Sequence, residues 1–187
     1  MIQRRQDTLR KMQEAKNRKN IISFDASWLL LLPAIAYQHH FNNRKAIKTG
    51  VQYSYIASNA SILFPSIWSG YSILVTPEYR CYLKAQEYKM CGAYLAPYAR
   101  LRYEQQVAKI YSGPDEYGHV KTWSAGGGMV FGYQYSWQGK CFLDAFAGPG
   151  FMIDNSTSDN NDKIDKADRR SGFRPAGRLG IQFAFCF

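Results

Sequence analysis

The chain has 187 residues, enough for one domain that closes a single sheet and short for two. Its mean hydropathy of -0.38 argues against a helical membrane protein. The only dense apolar run, Trp28 to Ile35, is broken by Pro33 and falls well short of the ~20 residues a spanning helix needs. Those figures leave a β-barrel open, because only every second residue of a spanning strand is apolar, and 16% aromatic residues fit aromatic girdles.

The net charge of +10 is uneven along the chain. Residues 1–19 hold Arg4, Arg5, Arg10, Lys11, Lys16, Arg18 and Lys19 against Asp7 and Glu14, which is half of the net charge. Nucleic-acid binding is the usual suggestion for such a tail, but no basic patch interleaved with stacking aromatics follows it. No nucleic-acid partner is therefore expected. A solvated, partly disordered arm and a short amphipathic helix carrying Ile2, Leu9 and Met12 both fit. Basic residues, then Trp28 to Leu32, then Ala34-Ile35-Ala36 imitate a secretory signal. Asp25 precedes that run, and cleavage after it would remove two strands needed for closure. The export signal is therefore expected upstream.

Residues 21–28 and 34–41 read as a hairpin turned near Leu32-Pro33, with Asp25 inward. From there a period of two, which sends side chains to opposite faces of a strand, runs through the chain. Residues 46–56 place Lys48, Gly50, Gln52 and Ser54 inward. Residues 70–83 place Tyr71, Ile73, Val75, Pro77, Tyr79 and Leu83 outward, over Ser72, Leu74, Thr76, Glu78, Arg80 and Tyr82. Residues 91–107 set Leu95, Pro97, Ala99, Leu101 and Tyr103 against Tyr94, Tyr98, Arg100, Arg102 and Glu104. Residues 122–137 set Trp123, Ala125, Met129, Phe131, Tyr133, Tyr135 and Trp137 against small and polar residues, Gly126, Gly128 and Gly132 among them. Residues 141–154 place Asp144, Phe146, Gly148 and Gly150 inward. The last fifteen residues alternate most cleanly, with Phe173, Pro175, Leu179, Ile181, Phe183, Phe185 and Phe187 on one face and Arg174, Arg178 and Gln182 on the other.

The expected fold class is therefore all-β: a closed, eight-stranded, antiparallel up-and-down transmembrane barrel (20–187) with a short basic N-terminal arm (1–19). Lipid meets the apolar face, and a polar lumen holds the other. Connections 42–45, 84–90 and 138–140 are short and lie on the side of the termini, which would be periplasmic. Those at 57–69, 108–119 and 155–172 are long and polar and would be extracellular. Eight strands enclose only enough room for side chains. Asp25, Lys48, Glu78, Arg80, Arg100, Arg102, Glu104, Asp144, Arg174 and Arg178 are thus expected to form one lumen ion network with no open pore, and Arg100→Ala to lower thermal stability. Tyr79, Leu95, Leu101, Phe131, Tyr133, Leu179, Ile181, Phe183, Phe185 and Phe187 are expected to face lipid or a partner.

Little in the sequence suggests catalysis or metal binding. Cys81, Cys91, Cys141 and Cys186 lack the C-x-x-C spacing of a zinc site, and all fall near one end of the barrel. A cross-strand disulfide between Cys81 and Cys91 stays open, subject to demanding geometry. Asp159-Asn160-Asn161-Asp162 departs from a calcium loop at Lys163 and Ile164. His39-His40 and His119 give no metal triad. Glu78 with Glu104 could be read as a catalytic carboxylate pair, but a structural ion pairing suits them better. A lipid-A-modifying enzyme would need a nucleophile such as Ser58 with a base in reach at the outer rim, and His119 could come near only through the fold of a loop.

Thr76-Pro77-Glu78-Tyr79-Arg80-Cys81-Tyr82-Leu83, then Gly92-Ala93-Tyr94-Leu95-Ala96-Pro97-Tyr98-Ala99-Arg100, resembles a family of small outer-membrane barrels common in Bacteroidota and catalogued as a domain of unknown function. Gly126-Gly127-Gly128 with Gly132-Tyr133-Gln134, Phe142-Leu143-Asp144 and Gly148-Pro149-Gly150 continue the likeness in order over roughly residues 20–187. The resemblance implies an eight-stranded barrel in the manner of OmpX and the OmpA membrane domain, and no catalytic residues. Residues 1–19 fall outside it. The expected function is non-enzymatic and cofactor-free: an accessory or structural subunit of a larger outer-membrane assembly. It would contact membrane lipid, lipopolysaccharide and other outer-membrane or periplasmic proteins, in part through Arg4, Arg5, Arg10 and Lys11. The alternatives are a free-standing barrel that stabilises the envelope and the lipid-A enzyme.

Overall fold

The computed structural model describes residues 19–25, 34–42, 44–56, 68–83, 91–109, 117–137, 140–158 and 171–187. The basic arm up to residue 18, Trp28 to Pro33, Ser58-Asn59 and Asp159 to Asp162 lie outside the described residues. Eight strands follow in chain order: β1 (Asn20–Asp25), β2 (Ala34–His40), β3 (Lys45–Ile56), β4 (Trp68–Tyr82), β5 (Gly92–Lys109), β6 (Tyr117–Trp137), β7 (Cys141–Ser158) and β8 (Gly172–Cys186). Each pairs antiparallel with its neighbours, and β1 pairs with β8 to close the barrel. The seam runs from Ile21 opposite Cys186 to Asp25 opposite Gln182, and the Phe187 N–H donates to Asn20 O at 3.2 Å.

The strands on the side of the long connections reach further than the alternation predicts. β5 continues to Lys109, β6 begins at Tyr117 and β7 runs to Ser158. His119, expected in a loop, is therefore a β6 residue opposite Val107. The reason is chemical. Above Trp123 the outward face turns polar at Lys121 and His119 while the inward face carries Val120, so alternation stops marking an apolar exterior while the hydrogen-bonded ladder goes on. There the Thr122 and Ser156 hydroxyls meet at 2.7 Å across β6 and β7. On the opposite side the turn between β2 and β3 is held by Asn42, whose Oδ1 accepts the N–H groups of Arg44 and Lys45, each at 2.9 Å. This is an Asx turn, a tight reversal that asparagine favours.

The polarity is inside-out relative to a soluble barrel. Lys48, Glu78, Arg80 and Asp144 are at most 3% exposed, whereas Phe131, Leu179, Ile181 and Phe183 on the outer face are 51% exposed or more. Between Lys45 and His39 at the turn end and Gln105 and Lys121 at the other, no outward position of β1–β8 carries Asp, Glu, Lys or Arg. Along β4 that band runs from Tyr71 to Cys81, roughly 23 Å of depth at a rise of ~3.3 Å per residue and a tilt of ~45°. Outer-membrane barrels carry an apolar band of about 25 Å. Aromatic residues crowd its edges. Trp123 lies 4.7 Å from Tyr103, which lies 6.1 Å from Tyr71, and the Tyr71 and Tyr103 hydroxyls both donate to Gln105 at the upper margin.

Towards the turn end the lumen is packed with Tyr82, Tyr94, Ala46, Val130 and Phe146, and beside them Ile21, Phe142 and Ala184. Rings this large fit because facing positions are bare. A Cβ on Gly132 would stand 2.3 Å from Tyr94 Cζ, and one on Gly180 would stand 2.5 Å from Phe146 Cζ. Gly128 likewise faces the Tyr98 hydroxyl, whereas Gly126 lies against the Phe151 carbonyl and Met152.

Candidate functional site: the charged lumen

Among these rings, β3, β4, β7 and β8 bring their inward charges together. Asp144 stands at the centre: its Oδ2 accepts from Arg80 Nη2 at 2.6 Å and Lys48 Nζ at 3.0 Å, and its Oδ1 from the Tyr94 hydroxyl at 2.7 Å. Arg80 also binds Glu78 Oε1 through Nε at 2.8 Å and Nη2 at 2.6 Å. Its Nη1 donates to Gln38 and Gln134, and its guanidinium lies 4.2 Å from the Tyr94 ring. Arg178 donates to the other oxygen of Glu78 and covers Phe146 at 4.5 Å. Lys48 donates to Gln182, and Gln182 donates to Asp25 Oδ2 at 3.0 Å. Register explains the meeting, since Lys48 is directly opposite Glu78, and Asp144 is opposite both Gln134 and Gln182.

A second tier lies nearer the long connections. Arg102 pairs with Glu104 at 2.5 Å and Arg174 with Asp154 at 2.5 Å. The hydroxyls of Ser54 and Ser72 meet at 2.5 Å. Arg102, Arg174, Ser54 and Ser72 border a cavity of about 460 Å³, lined also by Arg100, Gln52 and Met152.

Of the ten residues expected in one network, the structure thus brings together Asp25, Lys48, Glu78, Arg80, Asp144 and Arg178, and sets Arg102 with Glu104 and Arg174 apart as pairs. Arg100 joins neither. Its Nε is buried without a hydrogen-bond partner, and no carboxylate of the described residues pairs with it. The expected stability loss on removing Arg100 therefore has no contact to rest on. Glu78 and Glu104 belong to different tiers, each engaged by arginine. Parity placed Tyr82, Tyr94 and Gln182 inward but gave no sign that they, with Gln38 and Gln134, belong to the network, and Asp154, which shares the inward parity of Asp144, was missed. The structure forms no disulfide at Cys81, Cys91, Cys141 or Cys186. Among the described residues no cluster of three His, Cys, Asp or Glu side chains could hold a metal ion. His119 is exposed on β6.

On the outer face the wall is most aromatic at the turn end of β6–β8. Tyr135 is opposite Leu143, which is opposite Phe183, and Trp137 is opposite Cys141, which is opposite Phe185. Tyr79, Leu95, Leu101, Phe131, Tyr133, Leu179, Ile181 and Phe187 also point outward and are exposed.

No curated protein matches the chain. Two solved structures resemble it at low identity. One is a major outer membrane protein from Thermus thermophilus, at 9% identity and a TM-score of 0.48 over 91% of this chain and 98% of that one. The other is Neisserial surface protein A, at 17% identity and a TM-score of 0.41 over 90% of this chain and 95% of that one. The family described as "Protein of unknown function (DUF3575)" matches residues 8–187, which carries the family likeness into the basic arm, beyond the motifs that resemble it in the barrel. With nearly its whole length covered, the chain belongs to the DUF3575 family.

Proposed function

We propose that this is an outer-membrane barrel without enzymatic activity, an accessory or structural subunit of a larger outer-membrane assembly, with a lumen plugged by its own side chains. The observation that carries the reading is the uncharged outward band around a closed barrel whose central charges are bonded to one another. Lipid favours that exterior, since a lysine or arginine placed mid-band would cost about 2–4 kcal/mol. The interior favours a plug, since Arg80, Lys48, Tyr94, Gln38 and Gln134 are all at most 1% exposed.

The short turns mark the periplasmic end and the long connections the extracellular end. A partner would meet the turn-end aromatic patch of β6–β8 or the arm carrying Arg4, Arg5, Arg10 and Lys11. Packed aromatic side chains suit such contacts because they bury large areas with few rotatable bonds.

Membrane fractionation, then extraction in mild detergent and mass measurement, tests the reading. The protein is expected in the outer-membrane fraction, in a complex heavier than one chain with a second protein at fixed stoichiometry. Recovery as a lone monomer would remove the subunit role and leave a free-standing barrel. In planar bilayers no conductance steps are expected, and steady unit conductance would overturn the plugged lumen. Lipid A from cells carrying Ser58→Ala is expected to match the wild type; an altered acyl pattern would restore the enzyme reading.

A further inference from the structure

The inward charges of the described strands do not balance. Lys48, Arg80, Arg100, Arg102, Arg174 and Arg178 face Asp25, Glu78, Glu104, Asp144 and Asp154, six cations against five carboxylates. The excess cation can be identified, because each of the other five has a carboxylate within ion-pair distance. Only Arg100 has none among the described residues, and its Nε is buried with no acceptor.

Arg100 is only partly buried, but its Nε is closed off from water with no acceptor, a cost that natural lumens retain only where something offsets it. Here it borders a cavity of about 460 Å³ on the side of the long connections. Volumes of 300–1,000 Å³ are usual for small-molecule sites, and at ~30 Å³ per water this one exceeds a bare phosphate several-fold. The lining suits a larger, hydroxyl-bearing anion. Arg102 and Arg174 flank Arg100, Ser54 and Ser72 offer hydroxyls, and Gln52 offers an amide.

From this we infer that the upper chamber of the lumen is a binding site for a phosphorylated sugar, with Arg100 as the group that holds the phosphate. A guanidinium presents parallel N–H donors that match a phosphate bidentately, while serine hydroxyls and a carboxamide recognise sugar hydroxyls. The phosphosugar could be a free metabolite or the headgroup of lipopolysaccharide. The inference stands on the chamber alone and does not depend on the subunit role.

The test is calorimetric titration of the purified full chain in a zwitterionic detergent with glucose 6-phosphate, inorganic phosphate and glucose, each to millimolar concentration. Glucose 6-phosphate is expected to bind and to raise the melting temperature, and glucose to do neither. Arg100→Gln is expected to weaken binding tenfold or more, as befits loss of a charged hydrogen-bonding partner, while melting without ligand no lower than the wild type. That second readout separates a lost site from a damaged fold. Purified lipopolysaccharide that displaces the sugar phosphate would assign the lipid source, and failure to displace it would assign the free one. No binding by the wild-type chain, or equal binding by Arg100→Gln, would overturn the inference. So would a fall in ligand-free melting temperature of Arg100→Gln as large as that of Asp144→Asn.

Discussion

Asp144 and Asp154 are ten positions apart on β7, point the same way and each accept from arginine, yet their surroundings differ. Asp144 is 1% exposed and binds Arg80, Lys48 and Tyr94. Replacing it with asparagine removes a charge from a site where Lys48, Arg80 and Arg178 would be left to share Glu78. A loss of about 3–5 kcal/mol is expected, as for other broken buried ion pairs. The partner of Asp154, Arg174, keeps 42% of its side chain in solvent, so Asp154→Asn should cost under about 1 kcal/mol. Urea unfolding in detergent or lipid measures both, and equal losses would mean that the central cluster is not a unit. Gly180→Ala puts a Cβ 2.5 Å from Phe146 Cζ and should destabilise by about 1–3 kcal/mol. Combined with Phe146→Leu, which clears the space, the two losses should be less than additive; simple additivity would rule out the clash. The sequence made the inward set of charges legible, because parity assigns a face. It could not assign height. Which acid meets which base depends on the stagger between strands, and this is why Arg100 was grouped with charges it does not reach.

At the scale of the strand, the apolar band had the clearest signal and the rim the weakest. β8 alternates without interruption and matches its expected limits within a residue. β7 was expected to stop at residue 154 and continues through Asn155-Ser156-Thr157-Ser158, where polar residues on both faces imitate a loop. A charge scan along the outward face of β6 should read the same boundary. Phe131→Arg, mid-band, is expected to lose about 2–4 kcal/mol in folding into phosphocholine bilayers. At Trp123, beside the polar margin, arginine should lose about 0–1 kcal/mol for its charge. A flat profile across the two positions would remove lipid as the solvent of this face. The glutamines of the cluster gave no signal of their own, since a neutral polar residue at an inward position looks like any other lumen lining.

For the molecule as a whole, β1 is the least securely fastened strand among the described residues, with five register pairs to β2 and five to β8. β5 and β6 are laddered over the full span from Gly92 to Lys109, whereas the described ladder joining β1 to β8 ends at Asp25. A cylinder stitched so unequally should come apart beside β1. Amide exchange at Ile22 and Phe24 should outpace that at Leu95 and Phe131, and equal protection would show an evenly fastened wall. The hairpins from β3 to β8 could form early from neighbours in sequence. Closure must then bring together residues some 160 positions apart, the slowest kind of contact to make. Insertion machinery that works by holding a sheet open at one gap would find that gap already specified here, between Ile21 and Cys186.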